Sequence, residues 1–170
     1  IAIRHSENGT AKKAADVANV PVINAGDGTN EHPTQALLDL YTIKKEKGRI
    51  DGLKVITISD LRDSRASKSF ALAHALYEGE AIFVTPRGLE MPEDIIHEIE
   101  EKKKCEITSI RVPDDLDEFK RQLKTADVIR IARIYEERFE DPDEYKRVYG
   151  SYRLNLDLLK GAKKDLIVLH

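Results

Sequence analysis

Apolar and polar positions follow two different periods along this chain. At the N-terminus, Ile1 to Ile3 read as the end of a buried strand. Ala11, Ala14, Ala15 and Ala18 then repeat at helical spacing. Pro21 to Ile23 read as a second strand. Ala25-Gly26-Asp27-Gly28-Thr29-Asn30 is rich in residues that tolerate unusual backbone angles and predicts a loop. Pro33 suits the first turn of a helix, Leu37, Leu40 and Tyr41 give that helix one apolar face, and Gly48 ends it.

After Gly52, strands and helices alternate. Leu53 to Ser59 is a nearly continuous apolar run, the signature of a strand covered on both faces. Phe70, Ala73 and Leu76 mark a helix, and Ala81 to Val84 a strand. Pro92 opens a helix with Glu93 and Asp94 in its first turn and Ile95, Ile96 and Ile99 facing inward. Glu106 to Ile110 is a weak strand. Leu116, Phe119 and Leu123 mark another helix, and Val128 to Ala132 another strand. Asn155 can cap a short helix, and Leu166 to Leu169 closes the chain as a strand. The alternation predicts an α/β fold, a Rossmann-like parallel sheet flanked by helices with right-handed crossovers. A partial segment of a second α/β domain precedes it, joined through the helix from about 33 to 47. Both ends fall at strand ends, so the chain is expected to be a piece of a longer one.

Composition narrows the partners. Charged residues make up 35% of the 170, yet the formal net charge is only -3 and the signs are interspersed. No large cationic face points to nucleic acid or a membrane surface. Lys102 to Lys104 follow Glu98, Glu100 and Glu101 and read as a solvated helix end. The single cysteine, Cys105, excludes an internal disulfide and a CxxC metal site and suits a reducing, cytoplasmic setting. No apolar run approaches the roughly 20 residues of a membrane span.

Ligands of parallel α/β sheets bind beyond the carboxyl ends of the strands. The polar residues that follow predicted strands are Arg4 and His5, then His32 and Gln35, then Asp60, Arg62, Ser64 and Arg65, and finally Arg133. Several arginines on one crevice would suit phosphate or carboxylate groups, which the guanidinium fork grips bidentately. Taken singly, each has a plainer reading. An arginine after a strand is usually at the surface. His32 could simply cap the helix at Pro33. Gln35 could be a solvated first-turn residue, and Asp60 and Asp63 turn residues. Arg62 is expected to point to solvent, and His74, His97 and Cys105 are assigned no role. No GxGxxG follows any predicted strand, which disfavours nucleotide binding.

Read together, the residues carry more. The stretch from Asn24 to Ile43, with Asn-Ala-Gly-Asp-Gly leading into His32-Pro33-Thr34-Gln35, resembles the His-Pro-Thr-Gln segment of aspartate carbamoyltransferases. Ornithine carbamoyltransferases share the His-Pro-x-Gln core, but this lead-in is similar to the aspartate branch. Ile3-Arg4-His5, Asp60 to Ser69, Glu136 to Phe139, Gly150 to Asn155 and Leu166 to His170 also resemble family segments. The resemblance implies that 1–34 end a carbamoyl-phosphate-binding domain and that 35–170 form the aspartate-binding domain. It implies that Arg4, His32 and Gln35 hold carbamoyl phosphate, with Arg4 and His32 stabilising the reacting carbonyl, and that Arg65 and Arg133 hold L-aspartate. Transfer of the carbamoyl group, a step of pyrimidine biosynthesis, then needs no metal and no other cofactor. Family members are homotrimers with sites at subunit interfaces, and some add regulatory subunits.

The family's Ser-Thr-Arg-Thr phosphate-binding helix start, a lysine loop and a Pro-Leu-Pro turn have no counterpart in these 170 residues, so the segment alone is expected to turn over little or nothing. Where the family has Thr-Arg-x-Gln, this chain reads Ala132-Arg133-Ile134-Tyr135. Tyr135 cannot reproduce the donor and acceptor set of a primary amide. The readings therefore include a carbamoyltransferase for another amino acid, and a non-catalytic binding or assembly module of the same fold.

Overall fold

Short apolar segments separated by turn residues leave the chain few ways to cover its strands. In the computed structural model, elements follow in the order β1 (Ala2–His5), α1 (Thr10–Ala15), β2 (Ile23–Asp27), α2 (Pro33–Lys47), β3 (Leu53–Ile58), α3 (Arg65–His74), β4 (Gly79–Pro86), α4 (Glu93–Lys102), β5 (Cys105–Val112), α5 (Leu116–Thr125), β6 (Val128–Ile131), α6 (Pro142–Val148) and β7 (Ile167–Leu169). The structure describes residues 1–136, 139, 141–149 and 153–170. The family-like stretches 136–139 and 150–155 lie partly outside them.

The strands β1 and β2 pair in parallel as a two-stranded sheet, and the rest form a parallel five-stranded sheet in the order β5-β4-β3-β6-β7. Central β3 is covered on both faces, with Val55, Ile56 and Ile58 no more than 1% exposed, and this explains its unbroken apolar run. Ile56 and Ile58 pack with Phe119 and Leu123 of α5 on one face. Val55 packs with Ile43 of α2 and Phe70 of α3 on the other. From β3 the chain steps outward to β4 and β5, then returns to β6 on the opposite side. The strand order thus switches between β3 and β6, where open α/β sheets form their ligand crevice.

Several local expectations change. Strand β2 begins at Ile23, where a strand was expected to end, and takes in Ala25 to Asp27, which read as loop residues. Pairing of Ile3 with Asn24 and His5 with Asp27 supplies the order that local composition does not reveal. On α2 the buried face is Ala36, Asp39, Leu40 and Ile43, whereas Leu37 and Tyr41 are about two-thirds exposed. Leu76 lies beyond the end of α3 and is exposed. Helix α6 lacks an apolar period and escaped prediction, although its Asp141 cap, accepting from the Asp143 N–H at 2.9 Å, and Pro142 at its start are legible signals. Asn155 accepts from the Leu158 N–H at 2.9 Å but caps hydrogen-bonded turns, not a helix.

His74 closes α3 in the core, stacked on Phe70 with ring centroids 5.7 Å apart and with Nδ1 3.8 Å from Cys105 Sγ. Burial pushes its pKa down from 6.5 to about 4. The unfolded chain therefore binds the proton first as the pH falls. This contribution to stability is whole above pH 6.5 and is lost progressively down to about pH 4. The loss amounts to about 3 kcal/mol, and His74→Leu is expected to remove it. Urea midpoints measured at pH 7 and pH 4 check this, and an unchanged pH slope in the variant would refute it.

Candidate active site

Candidate site residues come from four places in the chain. Arg4 lies in β1, at the sheet's carboxyl end. His32 precedes α2, whose first position is held by Pro33. Its ring makes no capping bond. Its backbone N–H donates to Ser69 Oγ at 2.8 Å, and its Nδ1 lies 3.2 Å from the Thr34 hydroxyl. With Thr34 as donor, the ring proton sits on Nε2. Burial, then the nearby Arg65 and Arg4 guanidinium groups, hold the His32 pKa below its ordinary value, so the ring is neutral at pH 7.

One turn along α2, Gln35 is committed rather than solvated. Its Nε2 donates to Asp39 Oδ1 at 2.8 Å. The other Asp39 oxygen accepts from Arg130 Nε at 2.6 Å, and both side chains are nearly inaccessible. Arg130 Nη1 donates to Ser67 Oγ at 3.0 Å, and Ser67 in turn meets Ser64 Oγ at 2.9 Å. A polar chain thus ties α2, β6 and the start of α3 behind the crevice.

Arg65 opens α3, after Ser64, which caps the helix by accepting from the Ser67 N–H. Its Nη1 donates to the Gly28 carbonyl at 3.1 Å and, at the limit, to that of His5 at 3.5 Å. Gly26 makes room for it. Its φ is +113°, and a Cβ there would stand 2.7 Å from Arg65 Cζ. Gly26→Ala is expected to push the guanidinium aside and weaken anion binding by roughly tenfold or more, the worth of about one charge-assisted hydrogen bond. Titration with an anionic ligand checks this, and undiminished affinity would contradict it.

Arg133 lies just past β6, with its guanidinium carbon 4.4 Å from the centroid of the Tyr135 ring, a cation–π stack. Arg4, His32, Gln35, Arg65 and Arg133 all line one cavity of about 350 Å³. Residues separated along the chain therefore meet as the crevice argument expects. Asp39, Arg130, Tyr135 and His170 line it as well. Among the described residues, the guanidinium groups of Arg4, Arg65, Arg130 and Arg133 line this cavity with the carboxylate of Asp39, an arrangement suited to an anionic ligand.

Other candidates lie elsewhere. His5 lines a neighbouring cleft of about 820 Å³ that also borders Arg4 and Arg65. Asp60 is buried and its Oδ1 accepts from the Asp63 N–H at 2.9 Å, the turn role. Arg62 is half-exposed, bonding to Asp63 at 2.9 Å and to the Gly88 carbonyl at 3.1 Å. Asp39, Ser67 and Arg130 were not anticipated. The available signal was an arginine inside the apolar strand Val128-Ile129-Arg130-Ile131, which demands a buried partner.

Known proteins resemble this chain along its whole length. Residues 1–45 match the carbamoyl-P binding domain of aspartate/ornithine carbamoyltransferases, and residues 51–170 match the Asp/Orn binding domain. The aspartate carbamoyltransferase catalytic subunit of Thermococcus kodakarensis is 46% identical over 170 residues, which are 100% of this chain and 53% of that protein. The catalytic subunit of Methanocaldococcus jannaschii aspartate transcarbamoylase has a similar structure, with a TM-score of 0.81 and 42% identity, over 100% of this chain and 53% of that one. Trypanosoma cruzi aspartate transcarbamoylase, solved with carbamoyl phosphate, is similar at a TM-score of 0.83 and 30% identity, over 98% of this chain and 52% of that one. The chain spans about half the length of the curated relatives it matches. A parallel sheet with its switch point at an arginine-rich crevice, and family matches that run from residue 1 to residue 170, lead to one conclusion: the chain belongs to the aspartate/ornithine carbamoyltransferase family.

Proposed function

We propose that this chain is part of a longer catalytic chain that transfers the carbamoyl group of carbamoyl phosphate to the amine of L-aspartate, giving N-carbamoyl-L-aspartate and phosphate for pyrimidine biosynthesis. Residues 1–34 end its carbamoyl-phosphate domain, and 35–170 form its aspartate domain. The carrying observation is the single cavity shared by Arg4, His32, Gln35, Arg65 and Arg133.

Each group has a role that its chemistry fits. Arg4 and His32 Nε2 donate to the carbamoyl oxygen as it gains negative charge. Gln35 spends its amide N–H on Asp39, so its Oε1 accepts from the carbamoyl NH₂. Arg65 and Arg133 hold the two carboxylates of aspartate and set its amine against the carbamoyl carbon. The new C–N bond forms, the C–O bond to phosphate breaks, and the leaving phosphate takes the amine proton. A neutral His32 suits this role, because its N–H donates without adding a further cation. The proposed assembly is a cytoplasmic homotrimer that can take a regulatory subunit. Separately, no helix among the described residues is long and apolar enough to cross a membrane.

A related reading is transfer to another amino acid, favoured by Ala132 and Tyr135 where family members carry threonine and glutamine. Turnover of the intact catalytic chain with carbamoyl phosphate and a panel of amino acids decides between them. Carbamoylation of aspartate at the highest kcat/KM supports the first reading. Preference for a non-acidic amino acid moves it to the second, and no carbamoylation of any amino acid overturns both.

A further inference from the structure

We propose that Arg130 is a third guanidinium of the second-substrate site, gripping a carboxylate beside Arg65 and Arg133 and making the site demand a dicarboxylic amino acid. The inference rests on the carbamoyl-transfer reading and deepens it by naming the group that keeps the site selective for acids.

The residue is placed against the grain of its strand. Val128 and Ile129, its neighbours in β6, are fully buried, and Arg130 itself is only 5% exposed. A permanently charged side chain is costly there unless it is held by an anion and its donors are used. Two of its nitrogens are so used: Nε by Asp39 at 2.6 Å and Nη1 by Ser67 at 3.0 Å. One face of the guanidinium rests on the Phe70 ring, 5.2 Å from the centroid. Nη2 has no hydrogen-bond partner among the described residues, and Arg130 lines the same cavity as His32, Gln35 and Arg133. Asp39, Ser67 and Phe70 therefore fix the group rigidly while donors remain to be used.

The surroundings explain why a third donor is needed. Ala66 and Ala132 line the cavity without polar side-chain atoms. Tyr135 serves as a stacking platform for Arg133. Arg65 divides its fork between the cavity and the carbonyls of Gly28 and His5. Arg133 is exposed at the rim. Arg130 is the deepest of these guanidinium groups, where water screens a charge pair least. A rigid, buried fork discriminates strongly, because an analogue lacking the carboxylate leaves its donors unpaired.

The test compares N-phosphonoacetyl-L-aspartate with its β-alanine and L-alanine counterparts, each of which lacks one carboxylate, by calorimetric titration of the intact catalytic chain. The variant pairs Arg130→Gln with Asp39→Asn, so that an amide pair replaces the ion pair and Gln35 keeps its acceptor. Arg130→Lys is the second variant, because a compact ammonium held by Asp39 cannot also present a second edge. The unmodified chain is expected to prefer the aspartate analogue over both others. In either folded variant, the preference over at least one of them should fall by tenfold or more. A preference that stays within threefold of the original makes Arg130 purely structural and overturns the inference. If the unmodified chain binds none of the analogues, the carbamoyl-transfer reading itself fails and takes this inference with it.

Discussion

Replacing Asp39 by alanine is expected to lower the melting temperature by roughly 6–20 °C, the largest stability effect of any single change at the site. The reason is arithmetic on a buried ion pair. Asp39 and Arg130 contact at 2.6 Å with side chains only 7% and 6% exposed. Removing the carboxylate leaves a guanidinium that cannot give up its proton, enclosed beside Phe70 and near Arg4, Arg65 and Arg133. Breaking such a pair from one side typically costs about 3–5 kcal/mol, and for a chain of this size each kcal/mol shifts the transition by about 2–4 °C. Asp39→Ala combined with Arg130→Met should recover much of the loss, because the uncompensated charge goes too. Calorimetry of the two variants measures this directly. A shift of less than 2 °C for Asp39→Ala would mean that the pair is solvated or loosely held, contrary to its burial.

The second large effect falls on binding. Arg65→Ala and Arg133→Ala are each expected to weaken a bisubstrate analogue, with phosphonate at one end and a succinate-like group at the other, by about 10–150-fold. That range corresponds to about 1.5–3 kcal/mol for a hydrogen bond to a charged group. Arg65→Ala should reach the upper part of it. Its guanidinium also braces the Gly28 carbonyl, so its loss slackens the loop that leads into His32. Arg133→Ala should act more locally, since Arg133 stacks on Tyr135 at the cavity's edge. Unchanged affinity in both variants would remove these residues from the site.

The site divides into a rigid rear and an open front. Gln35, Asp39, Arg130, Ser67 and Ser64 satisfy one another in series, from α2 to β6 and α3. Such a network is stiff because each group limits the rotamers of the next. The groups in front, Arg4, Arg65 and Arg133, line the cavity while their backbones are set by strand ends and a helix start. Preorganisation of this kind lowers the ordering cost that binding would otherwise meet.

Much of this was legible along the chain. The unbroken apolar run of Leu53 to Ile58 announced a strand covered on both faces, and Pro33 and Gly48 marked both ends of α2. The positions of Arg4, His32, Gln35, Arg65 and Arg133 just past strand ends suggested a shared crevice. The misreadings have physical causes. Ala25 to Asp27 looked like a loop because their strand is made by a neighbour, β1, and not by their own propensities. The face of α2 was assigned to Leu37, Leu40 and Tyr41; Leu40 is buried, yet beside it a polar residue, Asp39, is buried too, because Arg130 of β6 arrives there.

The chain by itself determined what repeats at short range: most of the segments that are strands or helices, that the sheet is parallel, and which polar residues stand where ligands of such sheets bind. Only the tertiary structure decided that Arg130 joins the site, that Asp39 is its anion and that Gly26 yields its space to Arg65. Periodicity records which face of an element avoids water. Pairing between Asp39 and Arg130 depends on the distance between two elements after packing, and no local pattern carries that distance.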